Sequence, residues 1–366
     1  MNNHVTILEI DANAVLHNLQ YFKQKLQPQT KILAVVKAFG YGSDAIEIAK
    51  IVKDHVDYFS VAYSNEGIAL REAGIDTPIL VLHPQIQNIK DIVKYRLEPN
   101  LYNFKIFEAF LEYANDVPLM NYPVHIKFNT GLNRLGFWHT DVPNIIAQLK
   151  KSNNVVVQSV FSHLAASEDL NEQEFTVGQI NNFAYIVKQI YTHLGYEPMI
   201  HILNTSGVVH FPQAQFDMVR VGIGLYGFSN TPKETAELKN THSLKSIISQ
   251  IHNVQPGETV GYNRAFVASK PTRSATIPVG HADGISRRLG NKNGFVIVNN
   301  QPAPIIGNVC MDMIMVDVTK IDCKEGDEVI VFNHQQHIEY MAHKCETIPY
   351  EILTAISQRV KRLVKR

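Results

Sequence analysis

From residue 31 to about 225, short apolar runs alternate with segments of helical period. The runs Ile32–Lys37, Tyr58–Tyr63, Pro78–His83, Leu97–Tyr102, Val124–Asn129, Val155–His163, Ile200–Asn204 and Met218–Val221 predict eight strands. Between them, Asn65–Ala73, Ile86–Tyr95, Phe104–Tyr113, Val142–Lys150 and Phe175–Leu194 repeat their apolar residues at helical spacing. Strands alternating with helices argue for a parallel sheet, and eight such units for a TIM-like (β/α)8 barrel. Pro99 interrupts the fourth strand and makes it the weakest of the set. After residue 230 the rhythm changes. Ser243–Val254, Ala275–Pro278, Phe295–Val298, Met313–Val318 and Glu328–Phe332 read as strands separated by Gly, Pro or Asn turns. A run without obvious intervening helices predicts a separate, mainly antiparallel β domain. Tyr350–Val364 returns to a helical pattern. The polar stretch near residues 229–241 puts the division at 1–235 for the barrel and 236–366 for the β domain.

Composition narrows the classes. The 366 residues are 45% hydrophobic and 19% charged, and 34 basic residues balance 34 acidic ones. No net positive field draws such a chain to nucleic acid or a membrane surface. The one basic run, Arg359 to Arg366, is expected to be the solvated end of a helix. Three cysteines without CxxC spacing predict a reducing compartment and no metal site. The N-terminus lacks a basic start followed by an apolar stretch, and no segment is long enough to span a bilayer. The expectation is a soluble, cytoplasmic protein.

Barrel enzymes build their sites at the C-terminal ends of the strands. Those ends carry Lys37 on the first strand, Lys127 and Asn129 on the fifth, His163 on the sixth and Asn204 on the seventh, with Arg220 in the eighth. Such residues are costly to bury without partners, so their recurrence favours a site. Taken singly, His163 could be a satisfied core histidine and Asn204 a helix cap. Lys37 closes the apolar run Lys31-Ile-Leu-Ala-Val-Val-Lys37, where burial favours the neutral amine that attacks an aldehyde. Gly40 and Gly42 allow a tight turn, and Asp44 with Glu47 reads as a capping box for a helix from Ala45. The glycine-rich Arg220-Val-Gly222-Ile223-Gly224 follows the last strand, where barrels often hold a phosphate, and Thr205 could add a hydroxyl.

Together these stretches resemble the alanine racemases, the fold-type III pyridoxal-phosphate-dependent family. The resemblance runs from about Ile7 to Arg362, through Ala34-Val-Val-Lys37-Ala-Phe-Gly-Tyr41-Gly, Lys127-Phe-Asn-Thr-Gly-Leu-Asn-Arg134, Phe161-Ser-His163-Leu-Ala and His201-Ile-Leu-Asn204-Thr205. It continues in Arg220-Val-Gly-Ile-Gly-Leu-Tyr, Val260-Gly-Tyr262, Gly307-Asn-Val-Cys-Met311-Asp312 and Thr347-Ile-Pro-Tyr350.

The resemblance implies pyridoxal 5'-phosphate as cofactor and a two-base racemisation of alanine, supplying D-alanine for bacterial peptidoglycan. Lys37 would carry the cofactor and serve one face of the substrate, and Tyr262 the other. Arg220 would face the pyridine nitrogen, with His163 bridging Arg220 and Tyr262. Tyr41, Asn204, Thr205, Gly222, Ile223 and Tyr350 match cofactor-binding positions. Arg134, Met311 and Asp312 match substrate-binding positions, and Lys127 matches a lysine often carbamylated in the family. A homodimer with sites shared between chains is implied as well. Three positions depart from the family pattern: Asn129 replaces an aspartate, Leu132 a methionine, and His281 a tyrosine near the substrate entrance.

Other readings stay open. A fold-type III decarboxylase shares the two-domain plan but places a carboxylate where this chain has Arg220. A single-barrel pyridoxal-phosphate carrier needs no second domain. A broad-specificity amino-acid racemase of the same fold is the nearest alternative.

Overall fold

The computed structural model describes residues 4–366 apart from residues 118, 152 and 230. Nineteen strands are present among the described residues. Eight of them form one parallel sheet: β2 (Lys31–Val35), β3 (Tyr58–Val61), β4 (Ile79–Val81), β5 (Glu98–Leu101), β6 (Tyr122–Lys127), β7 (Val155–Phe161), β8 (Met199–His201) and β9 (Met218–Val221). They neighbour one another in sequence order, and β9 returns to pair with β2. Backbone bonds from Asp217 N to Ile200 O and from Arg220 N to Leu203 O, both 3.1 Å, join β9 to the β8 side. The result is the expected (β/α)8 barrel. Its strands are buried on both faces, as a sheet wrapped in helices requires. Pro99 is tolerated inside β5, where the Asn100 side chain donates to Leu82 O at 2.7 Å and adds a link to the neighbouring segment.

The second body is a sheet of nine strands. Chain order gives β1 (Ile7–Asp11), β10 (His242–Ile247), β11 (Gln250–Val254), β14 (Thr272–Ile277), β15 (Phe295–Val298), β16 (Gln301–Ile306), β17 (Ile314–Asp317), β18 (Glu328–Phe332) and β19 (Lys361–Lys365). A short ribbon of β12 (Thr259–Val260) and β13 (Phe266–Val267) stands apart from it. The stretch expected as one strand, Ser243–Val254, is split into β10 and β11.

Three expectations need correcting. The first domain does not begin at residue 1, because β1 pairs with β10 and β19 in the second sheet before the chain enters the barrel. Leu8 and Ile10 are wholly buried there, an alternation that fits a strand with one face in a core. The C-terminal segment is not one helix: Pro349–Thr354 is helical, but Lys361–Lys365 is β19, parallel to β1. Arg359, although exposed, and Arg362 are not helix-end charges but are tied to other segments. Arg362 donates to the carbonyls of Gly42, Ile356, Ser357 and Val360, and Arg359 pairs with Asp283 and Asp312. A helix was also missed at Gln335–Cys345, where the His334 ring accepts from His337 N as a cap. Polar residues dilute that segment and hide its period.

Candidate active site

Lys37 lies two residues beyond the end of β2, where the backbone changes hand. Ala38, Phe39, Gly40 and Tyr41 have φ of 54°, 57°, 59° and 53°, a left-handed turn containing three non-glycine residues. Each costs about 1–2 kcal/mol in that region. Bonds from Gly40 N to Val36 O and from Asp44 N to Phe39 O, both 2.9 Å, hold the turn, and Glu66 accepts from Ala38 N at 2.7 Å. Gly42 is obligatory, since a Cβ there would fall on the carbonyl oxygen of Leu353. Asp44 caps the next helix through Ile46 N and Glu47 N. Glu47 pairs with Lys50 while the Asp44 N–H donates to Phe39 O, so the expected capping box is half formed.

The turn opens onto a cavity of about 980 Å³ at the C-terminal end of the barrel. Lys37, Tyr41, Lys127, Arg134, His163, Asn204, Thr205, Arg220, Gly222, Ile223 and Tyr350 all line it, and of the strand-end residues picked out above Asn129 alone is missing from the lining. Four cationic side chains around one cavity call for an anionic ligand. Their mutual repulsion shows in their acidities. Burial and then Arg134 lower the Lys37 ammonium below its usual range, with Glu66 opposing. Burial, Arg134, Arg220 and Lys37 bring Lys127 down to about 7. Both lysines are therefore biased toward the neutral amine.

Arg220 is 4% exposed. Its Nη2 donates to Ser162 O at 2.8 Å, Ile202 O at 3.0 Å and His163 Nδ1 at 3.0 Å, and its Nη1 donates to His201 Nδ1 at 2.6 Å. Burial and the neighbouring cations hold His163 well below its usual range. With Nδ1 accepting, the neutral ring carries its proton on Nε2 and can donate from there.

At the other end, Thr205 Oγ1 accepts from Gly222 N at 3.0 Å, and Tyr41 stacks on Tyr226 with centroids 4.6 Å apart. Burial pushes the Tyr41 phenol well up, so it stays a protonated donor. Asn204 caps the helix Thr205–His210, its Oδ1 accepting from Gly207 N at 2.9 Å and from Ser167 Oγ at 2.8 Å. Asn129 is not part of the lining. Its Oδ1 accepts from Gly131 N and Asn133 N, a role the amide fills as an aspartate would.

Of the β-domain positions singled out above, Tyr350 joins this cavity and Tyr262, Met311 and Asp312 do not. Tyr262 is 73% exposed and Met311 59%, on loops outside its lining. Asp312 is also exposed and pairs with Arg359 at 2.7 Å. His281, exposed too, donates its N–H to Cys310 O beside Met311. His163 therefore bridges to Arg220 but not to the Tyr262 of its own chain. His201 was overlooked as a contact of Arg220. Its signal was a polar residue inside the apolar run Met199-Ile-His201-Ile-Leu.

Two family models cover the chain: alanine racemase, N-terminal domain, over residues 10–230, and alanine racemase, C-terminal domain, over residues 241–364. Alanine racemase 1 of Caldanaerobacter subterraneus subsp. tengcongensis is 34% identical, across 98% of this chain and 94% of its own length. The alanine racemase structure from Clostridium difficile 630 superposes with a TM-score of 0.94 at 32% identity, covering 100% of this chain and 97% of that one. The structure from Bartonella henselae with covalently bound pyridoxal phosphate gives 0.89 at 29% identity, covering 99% and 100%. With both domains matched in order along almost its whole length, the chain belongs to the alanine racemase family.

Proposed function

We propose that the chain racemises alanine with pyridoxal 5'-phosphate held in the barrel cavity. The observation that carries this reading is Arg220, a buried guanidinium at the cavity where most pyridoxal enzymes would need a carboxylate. The donor set fits the cofactor. Lys37 offers an amine biased to its neutral form, Tyr41 a buried phenol, and Gly222 a backbone cradle that a Cβ would fill. Thr205, Ile223 and Tyr350 surround the same end and suit a phosphate.

When bound, pyridoxal phosphate supplies an aldehyde for an amine and an aromatic ring that draws electron density from the substrate's Cα. The chain's residues do the rest. Lys37 holds the cofactor and then moves a proton on the face of Cα nearest its Nζ. Arg220 can donate but passes on no proton, so an aromatic nitrogen facing it stays unprotonated and the ring draws electrons weakly. Weak withdrawal favours prompt return of the proton over decarboxylation or amino transfer. Arg134 fits the substrate carboxylate, and Lys127, as a carbamate, would pair with it bidentately.

Inversion needs a second base on the opposite face. We infer that Tyr262 supplies it from a second copy of the chain, with Met311 beside it and Asp312 held by Arg359. Support comes from the exposure of Tyr262 and Met311 together with the exposed Met313 and Val267 near them in sequence. His163, with Nε2–H left to donate, suits a phenolate oxygen arriving from outside. On this reading the barrel holds the cofactor and the β domain of the partner closes a site shared across a two-fold axis.

The deciding experiment mixes protein, pyridoxal phosphate and L-alanine in D2O and follows Cα exchange and chirality together. Deuterium at Cα with D-alanine appearing is the expected result. Carbon dioxide release, or binding with no exchange, would replace the racemase by a decarboxylase or a carrier.

A further inference from the structure

A row of polar side chains runs through the barrel core behind Arg220. Arg220 Nη1 lies 2.6 Å from His201 Nδ1, and His201 Nε2 lies 2.9 Å from Ser159 Oγ. Ser159 Oγ lies 2.6 Å from His125 Nδ1, and His125 Nε2 lies 2.7 Å from Glu98 Oε2. The five residues come from β9, β8, β7, β6 and β5 in turn, and none is more than 8% exposed. Polar residues on five successive strands thus form one unbroken chain across an otherwise apolar core.

Its two ends determine its direction. A guanidinium only donates and a carboxylate only accepts. His201 Nδ1 must therefore accept from Arg220, which leaves the proton of the neutral ring on Nε2, donating to Ser159. The Ser159 hydroxyl then donates to His125 Nδ1, and His125 donates from Nε2 to Glu98. With both rings neutral, reversing any link would set two donors or two acceptors against each other. Burial and Arg220 hold His201 well below its ordinary range, in keeping with a neutral ring. Neighbours hold the ring planes. Phe161 stacks on His201 at 4.8 Å and 3°, and Tyr58 meets His125 edge-on at 6.0 Å and 89°.

We infer that Glu98 is a positioning residue for Arg220, acting through Ser159 and two histidines of fixed tautomer. Its carboxylate is the sink of the donor chain, and its buried negative charge offsets the guanidinium across the barrel. Without that sink, His125 has no acceptor for its Nε2 proton. Either tautomer then becomes available, Ser159 loses its defined donor direction, and His201 is no longer obliged to present a bare Nδ1 to Arg220. Arg220 then loses one of the contacts that aim it into the cavity. The functional part of this inference rests on the reading above, that Arg220 faces the cofactor ring.

The test is ring-nitrogen NMR of protein labelled with 15N-histidine, with and without pyridoxal phosphate, assigned with His125→Gln and His201→Gln variants. Both residues are expected as neutral rings with protonated Nε2 and bare Nδ1 in either state. In Glu98→Met both tautomers should become mixed. Its kcat should fall about tenfold, comparable to the loss when a residue that orients a metal ligand is removed, with KM for alanine little changed. Glu98→Gln keeps a carbonyl acceptor and should restore the single tautomer and most of kcat, which also serves if Glu98→Met does not fold. Nδ1–H on either histidine, or a folded Glu98→Met with tautomers and kcat unaltered, would overturn the inference. The two readings fail separately. A protein that bound no pyridoxal phosphate would end the racemase reading, while tautomers in the wrong order would end this one alone.

Discussion

A Cβ added to Gly222 would lie 2.6 Å from the hydroxyl oxygen of Tyr41. The glycine therefore keeps open the space into which the phenol reaches, on the edge of the cavity both residues line. Gly222→Ala should drive the phenol off that position without unfolding the barrel. Affinity for pyridoxal phosphate is expected to fall about tenfold, the lower end of an overpacking penalty. Fluorescence titration measures it, with circular dichroism as the control for folding. Unchanged affinity would mean that the two residues do not share the cofactor's site.

Two lysines whose ammonium groups are made more acidic by burial face the same cavity, so attachment of the cofactor is a choice between them. Lys37 is expected to carry it, because it opens the left-handed turn directly beside Tyr41. Borohydride reduction of the loaded protein followed by peptide mapping should find the pyridoxyl group on the peptide containing Lys37. A label on Lys127 would sink the assignment.

Lys127 is expected to take up carbon dioxide, since only the neutral amine reacts and its acidity lies at about 7. Protein equilibrated with 13C-bicarbonate should show a carbamate signal at pH 8 that fades below pH 7 and is absent in Lys127→Met. The same shift fixes the sign of a stability effect. Between about 7 and the lysine's ordinary 10.5 the unfolded chain binds the proton more tightly than the folded one, so stability rises with pH across that window. In cofactor-free, bicarbonate-free protein, Lys127→Met should raise Tm at pH 6.5, and the gain should shrink by pH 9.5. A gain that grows with pH would contradict the buried, repelled ammonium.

Lys37→Ala and Tyr262→Phe are each expected to be nearly inactive alone. Unfolded together and refolded, they should give about half mixed dimers, each with one intact site if the site is shared between chains. About a quarter of native activity should then return. No recovery, with mixed dimers demonstrated, would put Tyr262 in the site of its own chain.

Alanine is expected to be preferred over larger substrates, because Tyr350 already lines the cavity and Tyr262 would narrow it further. Initial rates with L-alanine, L-serine and L-lysine decide it. Comparable rates would favour a broad-specificity racemase, and His281, next to the Met311 loop, would be the first residue to exchange.

Much of the barrel site was legible in the sequence. A parallel strand buried on both faces is almost wholly apolar, so a polar residue at its tip stands out, as Lys37, Lys127, His163 and Arg220 did. Asn129 stood out as well, yet its side chain organises the turn to Asn133 instead of facing the cavity. Residue type and strand end cannot tell a ligand from a turn former, because the Asn side chain bonds equally well to backbone N–H groups next to it. Asn204 is similar: it lines the cavity and also caps a helix.

The sequence by itself determined the eight βα units, the change to a β domain and the identity of the lysine at the first strand's end. All of these follow from local period and local chemistry, which a chain displays in order. Only the tertiary structure decided the rest. It moved β1 and β19 into the same sheet, turned the basic C-terminus into the clamps Arg359 and Arg362, and wound the residues after Lys37 left-handed. It also aligned Glu98, His125, Ser159 and His201 behind Arg220, residues as much as 122 positions apart. Those outcomes depend on which strands become neighbours and in what register. That is settled when the apolar faces of distant segments are buried against one another, a free energy no local window contains.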